Sequence, residues 1–332
     1  MVPFTAFLVA SLMALPPAAP RVLRTFPVGG EGRWDYVNLD PEAGRLLVSR
    51  STRVMVLDLD GKVVGEIPDT QGVHGVAFSR ELDRGWTSNG QAGTVTVFKL
   101  STLAVETVVK TTGGNPDAIL YEPATRRVFT CNGAGKNATV IDAATSRVVG
   151  TIPLGGKPEF SACDGRGRVY LNNEDTSEIM AINARTLQVE AIWSIKPLER
   201  PSGLAMDVQH NVLFSVAGNR LAAVVDAGTG KVLATLPIGA GTDGVAFDPG
   251  TGCAYASNGE GTLTVIRRND AGAYEVAATV ATLKGARTIV DNPRTHRLYL
   301  PTAEFDPLPA DAKPGTRPAM VKDSFKIIEV GY

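Results

Sequence analysis

The sequence predicts an all-β fold, a single seven-bladed β-propeller whose N-terminal strand closes the last blade. Three features lead there. A unit of four short strand-like runs recurs about every forty residues, no helical stripe of three turns follows residue 20, and the two ends supply complementary parts of one unit.

The repeat is clearest from Gly241-Thr242-Asp243-Gly244-Val245-Ala246-Phe247, followed by Cys253-Ala254-Tyr255-Ala256-Ser257-Asn258-Gly259 and then Thr262-Leu263-Thr264-Val265-Ile266. The same grammar recurs from Gly72, Asn115, Lys157, Arg200 and Gly285, and in a more divergent form from Trp34. Runs rich in Val, Ile, Leu, Thr and Tyr have strand composition, and the Gly, Asn, Asp and Pro between them have turn chemistry. Inner strands are expected near Asp35, His74, Asp117, Glu159, Ser202, Asp243 and Arg287, at intervals of 39, 43, 42, 43, 41 and 44 residues. Such a four-stranded sheet needs cover on both faces, and a ring of neighbouring sheets provides it.

The ends close that ring. The last unit holds only three strands, at 288–290, 297–300 and 325–330, while residues 21–29 read as a fourth strand with no unit of its own. Pairing the two leaves neither terminus with an open edge. The polar, proline-rich segment 302–323 reads as a surface excursion over one mouth, with Glu304 and Phe305 at its entry as rim or lid.

Residues 1–20 form a signal-like N-terminal segment: an apolar run from Phe4 to Leu15, then Pro16, Pro17, Ala18, Ala19 and Pro20. The run is too short to cross a bilayer comfortably, so residues 21–332 are expected to be one exported, monomeric propeller domain without a membrane span. Thirty-three basic residues balance thirty-four acidic ones and no basic tract occurs, which argues against nucleic acid as a partner. Three widely spaced cysteines, Cys131, Cys163 and Cys253, suit buried free thiols better than a disulfide framework or a zinc cluster.

The units Val140-Ile141-Asp142 leading to Ile152-Pro153-Leu154-Gly155, and Val224-Val225-Asp226 leading to Leu236-Pro237-Ile238-Gly239, resemble the YncE-like, YVTN-type β-propellers of bacteria. The resemblance spans residues 21 to 331. It implies a periplasmic or secreted propeller that binds a small molecule or a cell-envelope component. Related propellers include metal-dependent lactonases, which keeps a divalent-metal-dependent hydrolase as the alternative.

Chemistry is expected at one channel mouth, where each inner strand starts and the next strand ends. The first set is Asp35, His74, Asp117, Glu159, Ser202, Asp243 and Arg287; the second is Arg50, Asn89, Asn132, Asn173, Ala217, Asn258 and Thr302. Asp35, Asp117, Glu159 and Asp243 could offer oxygen ligands to a divalent cation such as calcium. His74, Glu159 and Asp243 are the candidate catalytic groups, His74 as the proton carrier. Arg50, Asn89, Asn132, Arg287 and Glu304 are the candidate ligand contacts. Against this stands the plain reading that Asn-Gly ends strands for backbone reasons and that a wet channel collects polar residues. Ser202 lacks a nucleophile elbow, and His210 and His296 fall in outer turns without an evident partner.

Overall fold

A computed structural model describes residues 19–309, 311, 313, 316 and 318–332; most of the signal-like segment lies outside them. Among the described residues the chain is built of twenty-eight strands and no helix. Blade 1 comprises β2 (Val37–Asp40), β3 (Arg45–Arg50), β4 (Arg53–Asp58) and β5 (Val63–Ile67). Blade 2 follows with β6 (Val73–Ser79), β7 (Arg84–Asn89), β8 (Thr94–Lys99) and β9 (Val105–Lys110). Blade 3 has β10 (Pro116–Glu122), β11 (Arg127–Asn132), β12 (Asn137–Asp142) and β13 (Val148–Pro153). Blade 4 has β14 (Pro158–Cys163), β15 (Arg168–Asn173), β16 (Glu178–Asn183) and β17 (Gln188–Ser194). Blade 5 has β18 (Pro201–Asp207), β19 (Val212–Ala217), β20 (Leu221–Asp226) and β21 (Val232–Pro237). Blade 6 has β22 (Thr242–Asp248), β23 (Cys253–Asn258), β24 (Thr262–Arg268) and β25 (Tyr274–Ala281). Blade 7 takes β26 (Val290–Asn292), β27 (Arg297–Thr302) and β28 (Lys326–Gly331) from the C-terminal end and β1 (Arg21–Pro27) from the other.

Each inner strand touches the inner strands of both neighbouring blades, β26 touching β2, so the ring is closed. Sheets stacked in this way bury both faces, which is why the second and third strands are nearly continuous apolar runs. The buried apolar side chains fall into seven clusters, each centred between two neighbouring blades. The fourth strands form the rim and leave Val63, Val64, Val108 and Val149 exposed.

The predicted closure is present. Strands β1 and β28 pair antiparallel, from Arg21 opposite Gly331 to Pro27 opposite Lys326. Arg24 adds ion pairs to Glu329 of β28 and Asp60 of blade 1, and Phe26 enters the cluster between blades 7 and 1. One boundary moves: β26 starts at Val290 rather than at 288, because the preceding backbone is engaged sideways, Arg287 O accepting from Gly244 N at 2.8 Å. The excursion after β27 folds back on itself through a Phe305–Met320 bridge, and Phe305 packs on Trp34 with ring centroids 5.8 Å apart.

The thiols are free, with Cys131 and Cys253 buried and Cys163 half-buried. Burial pushes Cys131 up to about 12, so it stays a neutral apolar filler.

Candidate functional site

The polar mouth is a cavity of about 930 Å³ whose wall includes Arg33, Trp34, Asp35, His74, Asp117, Lys157, Glu159, Asp243, Arg287 and Phe305. Below it the channel narrows to a void of about 40 Å³ among Tyr36, Val76, Ala118, Ile119, Phe160, Val245 and Ile289. Tyr36 and Phe160 meet edge to face there at 5.0 Å. Trp34 and Phe305 thus line the mouth, whereas Tyr36 and Phe160 floor it. The opposite mouth is a separate depression of about 360 Å³ with Leu39, Ala77, Phe78, Leu120 and Tyr121 in its wall.

Chain geometry explains why the inner-strand openings converge. At each entry the backbone turns sharply inward, and Gly72, Asn115, Arg200 and Gly241 take left-handed φ of 68°, 53°, 55° and 66°. Gly72 has a second constraint, since a Cβ there would lie 2.6 Å from the Gln91 backbone nitrogen. Side chains that follow such a turn point to the axis.

The charges they bring together are interleaved. His74 Nδ1 lies 2.6 Å from Asp35 Oδ2 and 3.6 Å from Asp117 Oδ1. Arg287 bridges two blades, giving Nε to Asp243 at 2.9 Å and Nη2 to the other oxygen of Asp35 at 3.3 Å. Lys157 Nζ sits 3.2 Å from Glu159 and also contacts Glu174, which Arg200 Nε holds at 2.7 Å. The expected four-carboxylate cation site is therefore not formed as such: Asp243 is turned to Arg287 and Glu159 to Lys157, leaving Asp35 and Asp117 facing His74. One buried oxygen stands out, because Asp117 Oδ1 accepts no hydrogen bond, and Glu159 Oε2 has no donor aligned on it despite its near lysine.

Burial and crowding set the protonation states. Burial alone would lower His74, but the Asp35 hydrogen bond and the charges of Asp117 and Glu159 hold it at about 9. Burial raises Asp117 to about 6, with His74 opposing and Asp35 reinforcing. Burial likewise pushes Glu159 up to about 8, helped by Asp117 and opposed by Lys157. Asp243 is raised by burial against the pull of Arg287. These groups titrate as a set, each shift depending on the charge its neighbours carry. The hydrogen bond to Asp35 engages Nδ1 of His74, the arrangement that orients an imidazole whose other nitrogen carries the proton.

The second set of expected contacts does not reach the mouth. Arg50 is fully buried and caps four backbone carbonyls: Nε to Gly32 at 2.9 Å, Nη1 to Gly29 at 3.2 Å, and Nη2 to Gly30 and Glu31 at 2.9 Å each. Its guanidinium also lies 3.8 Å over the Phe325 ring. Asn89 and Asn132 are buried inside their blades. Asn89 accepts from Thr87 at 2.7 Å and donates to Thr96 at 2.8 Å; Asn132 accepts from Thr130 at 2.9 Å and donates to Asn137 and Thr139 at 2.7 and 2.8 Å. Asn258 repeats this pattern with Thr242, Thr262 and Thr264. Glu304 is exposed and pairs with Lys326 at 2.7 Å, outside the cavity wall. These residues are structural in position, so the ligand contacts inferred for Arg50, Asn89, Asn132 and Glu304 give way to that reading, while Arg287 keeps its place at the mouth. Ser202 donates to Thr242 O at 3.3 Å, and its hydroxyl also lies beside the Asp243 carboxylate. The outer histidines do have partners: His210 meets Asp207 at 2.6 Å and His296 meets Asp248 at 2.9 Å.

Lys157 and Arg200 were not anticipated as site residues. Both stand immediately before a proline that opens an inner strand, and Lys157 lies two residues from Glu159, a spacing that puts both on one side of an extended chain.

No protein-family model and no curated protein matches the sequence. Solved structures do match in fold. The structure of U3-55K aligns over 93% of this chain and 98% of its own with a TM-score of 0.75 at 10% identity. The crystal structure of RRP9 WD40 repeats aligns over 94% and 97%, with a TM-score of 0.76 at 9% identity. At that identity the likeness is one of architecture alone, a seven-bladed propeller.

Proposed function

We propose that this is an exported binding propeller of the YncE-like type, and that its polar mouth recognises a small charged molecule or a charged group on a cell-envelope component. The observation that carries this reading is the interleaving of acids and bases around a cavity of about 930 Å³. Rigidly placed charges of both signs suit a ligand that carries both, since each ligand charge finds an opposite partner without moving the wall.

The test is calorimetric titration of the chain with amino acids, dicarboxylates and polyamines at neutral pH. The reading expects one class to bind with a stoichiometry of one, and expects Arg287→Gln to weaken it at least about tenfold, the size of one lost charged hydrogen bond. Saturable binding that Arg287→Gln and Lys157→Gln leave untouched would move recognition elsewhere. Export is checked separately, by fractionating cells that produce the whole chain or the chain lacking residues 1–20.

A further inference from the structure

We propose that the mouth contains a site for one divalent first-row transition-metal ion such as zinc, held by Asp35, His74 and Asp117. This goes beyond ligand recognition and can be tested without any ligand. One ligating atom from each residue, two carboxylate oxygens and the imidazole Nδ1, lies within 4.8 Å of the others, and the three come from three consecutive blades. The independent observation is Asp117 Oδ1, a fully buried carboxylate oxygen that accepts no hydrogen bond and faces the imidazole nitrogen at 3.6 Å. A buried acceptor left in that state costs free energy that a cation would recover.

The charge count agrees. Two carboxylates facing one imidazolium leave a negative charge over, whereas a divalent ion with neutral imidazole leaves none. Arg287 does not block the site, because it takes Asp35 Oδ1 and leaves Oδ2 toward His74. A carboxylate that ligates with one oxygen and is hydrogen-bonded through the other is the ordinary support of a metal ligand. An imidazole with two carboxylates selects a borderline transition ion; calcium prefers six to eight oxygens. The remaining coordination positions open onto the cavity, where water or ligand atoms would fill them.

The test is titration of the chelator-treated full chain with zinc and, separately, with calcium, followed by X-ray absorption of the zinc-loaded protein. The expected result is one zinc per chain with a single imidazole ligand, tighter than calcium. Asp117→Asn and His74→Gln should each weaken it by more than about 100-fold, beyond the range seen for supporting groups. His210→Gln and His296→Gln should leave it within about twofold, since their paired aspartates lie outside the mouth. Absent stoichiometric uptake, tighter calcium, no imidazole in the absorption spectrum, or loss with the outer histidines instead would each overturn the assignment.

Discussion

Two sets of polar residues run around this propeller, and in the sequence they look alike. One opens the inner strands, with Asp35, His74, Asp117, Glu159, Asp243 and Arg287; the other ends the second strands, with Arg50, Asn89, Asn132 and Asn258. The first faces the open mouth, and its members meet across blade boundaries. The second is buried, and its asparagines bond chiefly to threonines and asparagines of their own blade. The difference teaches that polarity at a recurring position does not identify a site. At two of their members the hydrogen-bonding capacity differs: Asn132 has its oxygen and both donors committed, while Asp117 keeps a buried oxygen with none.

The comparison can be broken by substitution, beginning with the largest expected effect. Arg50→Ala should cost about 3–5 kcal/mol in denaturant unfolding, because four carbonyls lose a buried charged donor and the crossing from β1 into blade 1 loses its clamp. A loss below about 1 kcal/mol would show that water replaces the guanidinium and that the residue belongs to a wetter region. Asn132→Ala should cost about 2 kcal/mol, since Thr130, Asn137 and Thr139 are left with unmet partners inside blade 3. The mouth should behave differently. Asp117→Asn at pH 8 should change stability by no more than about 1 kcal/mol, because the amide removes a carboxylate that burial disfavours.

Much of the fold could be read from the chain because its signals are local. Turn residues at regular spacing mark each blade, and the three-strand remainder at one end matches the lone strand at the other, which β1 and β28 confirm residue by residue. The approach to the axis was also readable, since a strand opening must face the channel in any such ring. The direction of a side chain at a strand's far end was not. Arg50 and Asn89 could point to the channel or between sheets, and only the stacking of neighbouring blades decides it. Lys157, Arg200 and Arg33 escaped notice because they sit in connecting turns, whose course depends on contacts distant in sequence, such as Arg33 with Pro318.

The account's central claim is that the mouth gathers like and unlike charges at a cost in stability, as a site does, whereas the buried set contributes stability. Its most direct test is the unfolding free energy of the wild type and Glu159→Gln from pH 5 to pH 9. Asp117, Glu159 and His74 each have a folded pKa above the ordinary value, so each stabilises at low pH and loses that contribution on the way up. The windows run from 3.8 to about 6 for Asp117, from 4.5 to about 8 for Glu159, and from 6.5 to about 9 for His74. Wild-type stability should therefore fall as the pH rises, and Glu159→Gln should make the fall clearly shallower below pH 8. Stability that rises over this range, or a Glu159→Gln protein that keeps the full slope, would contradict it.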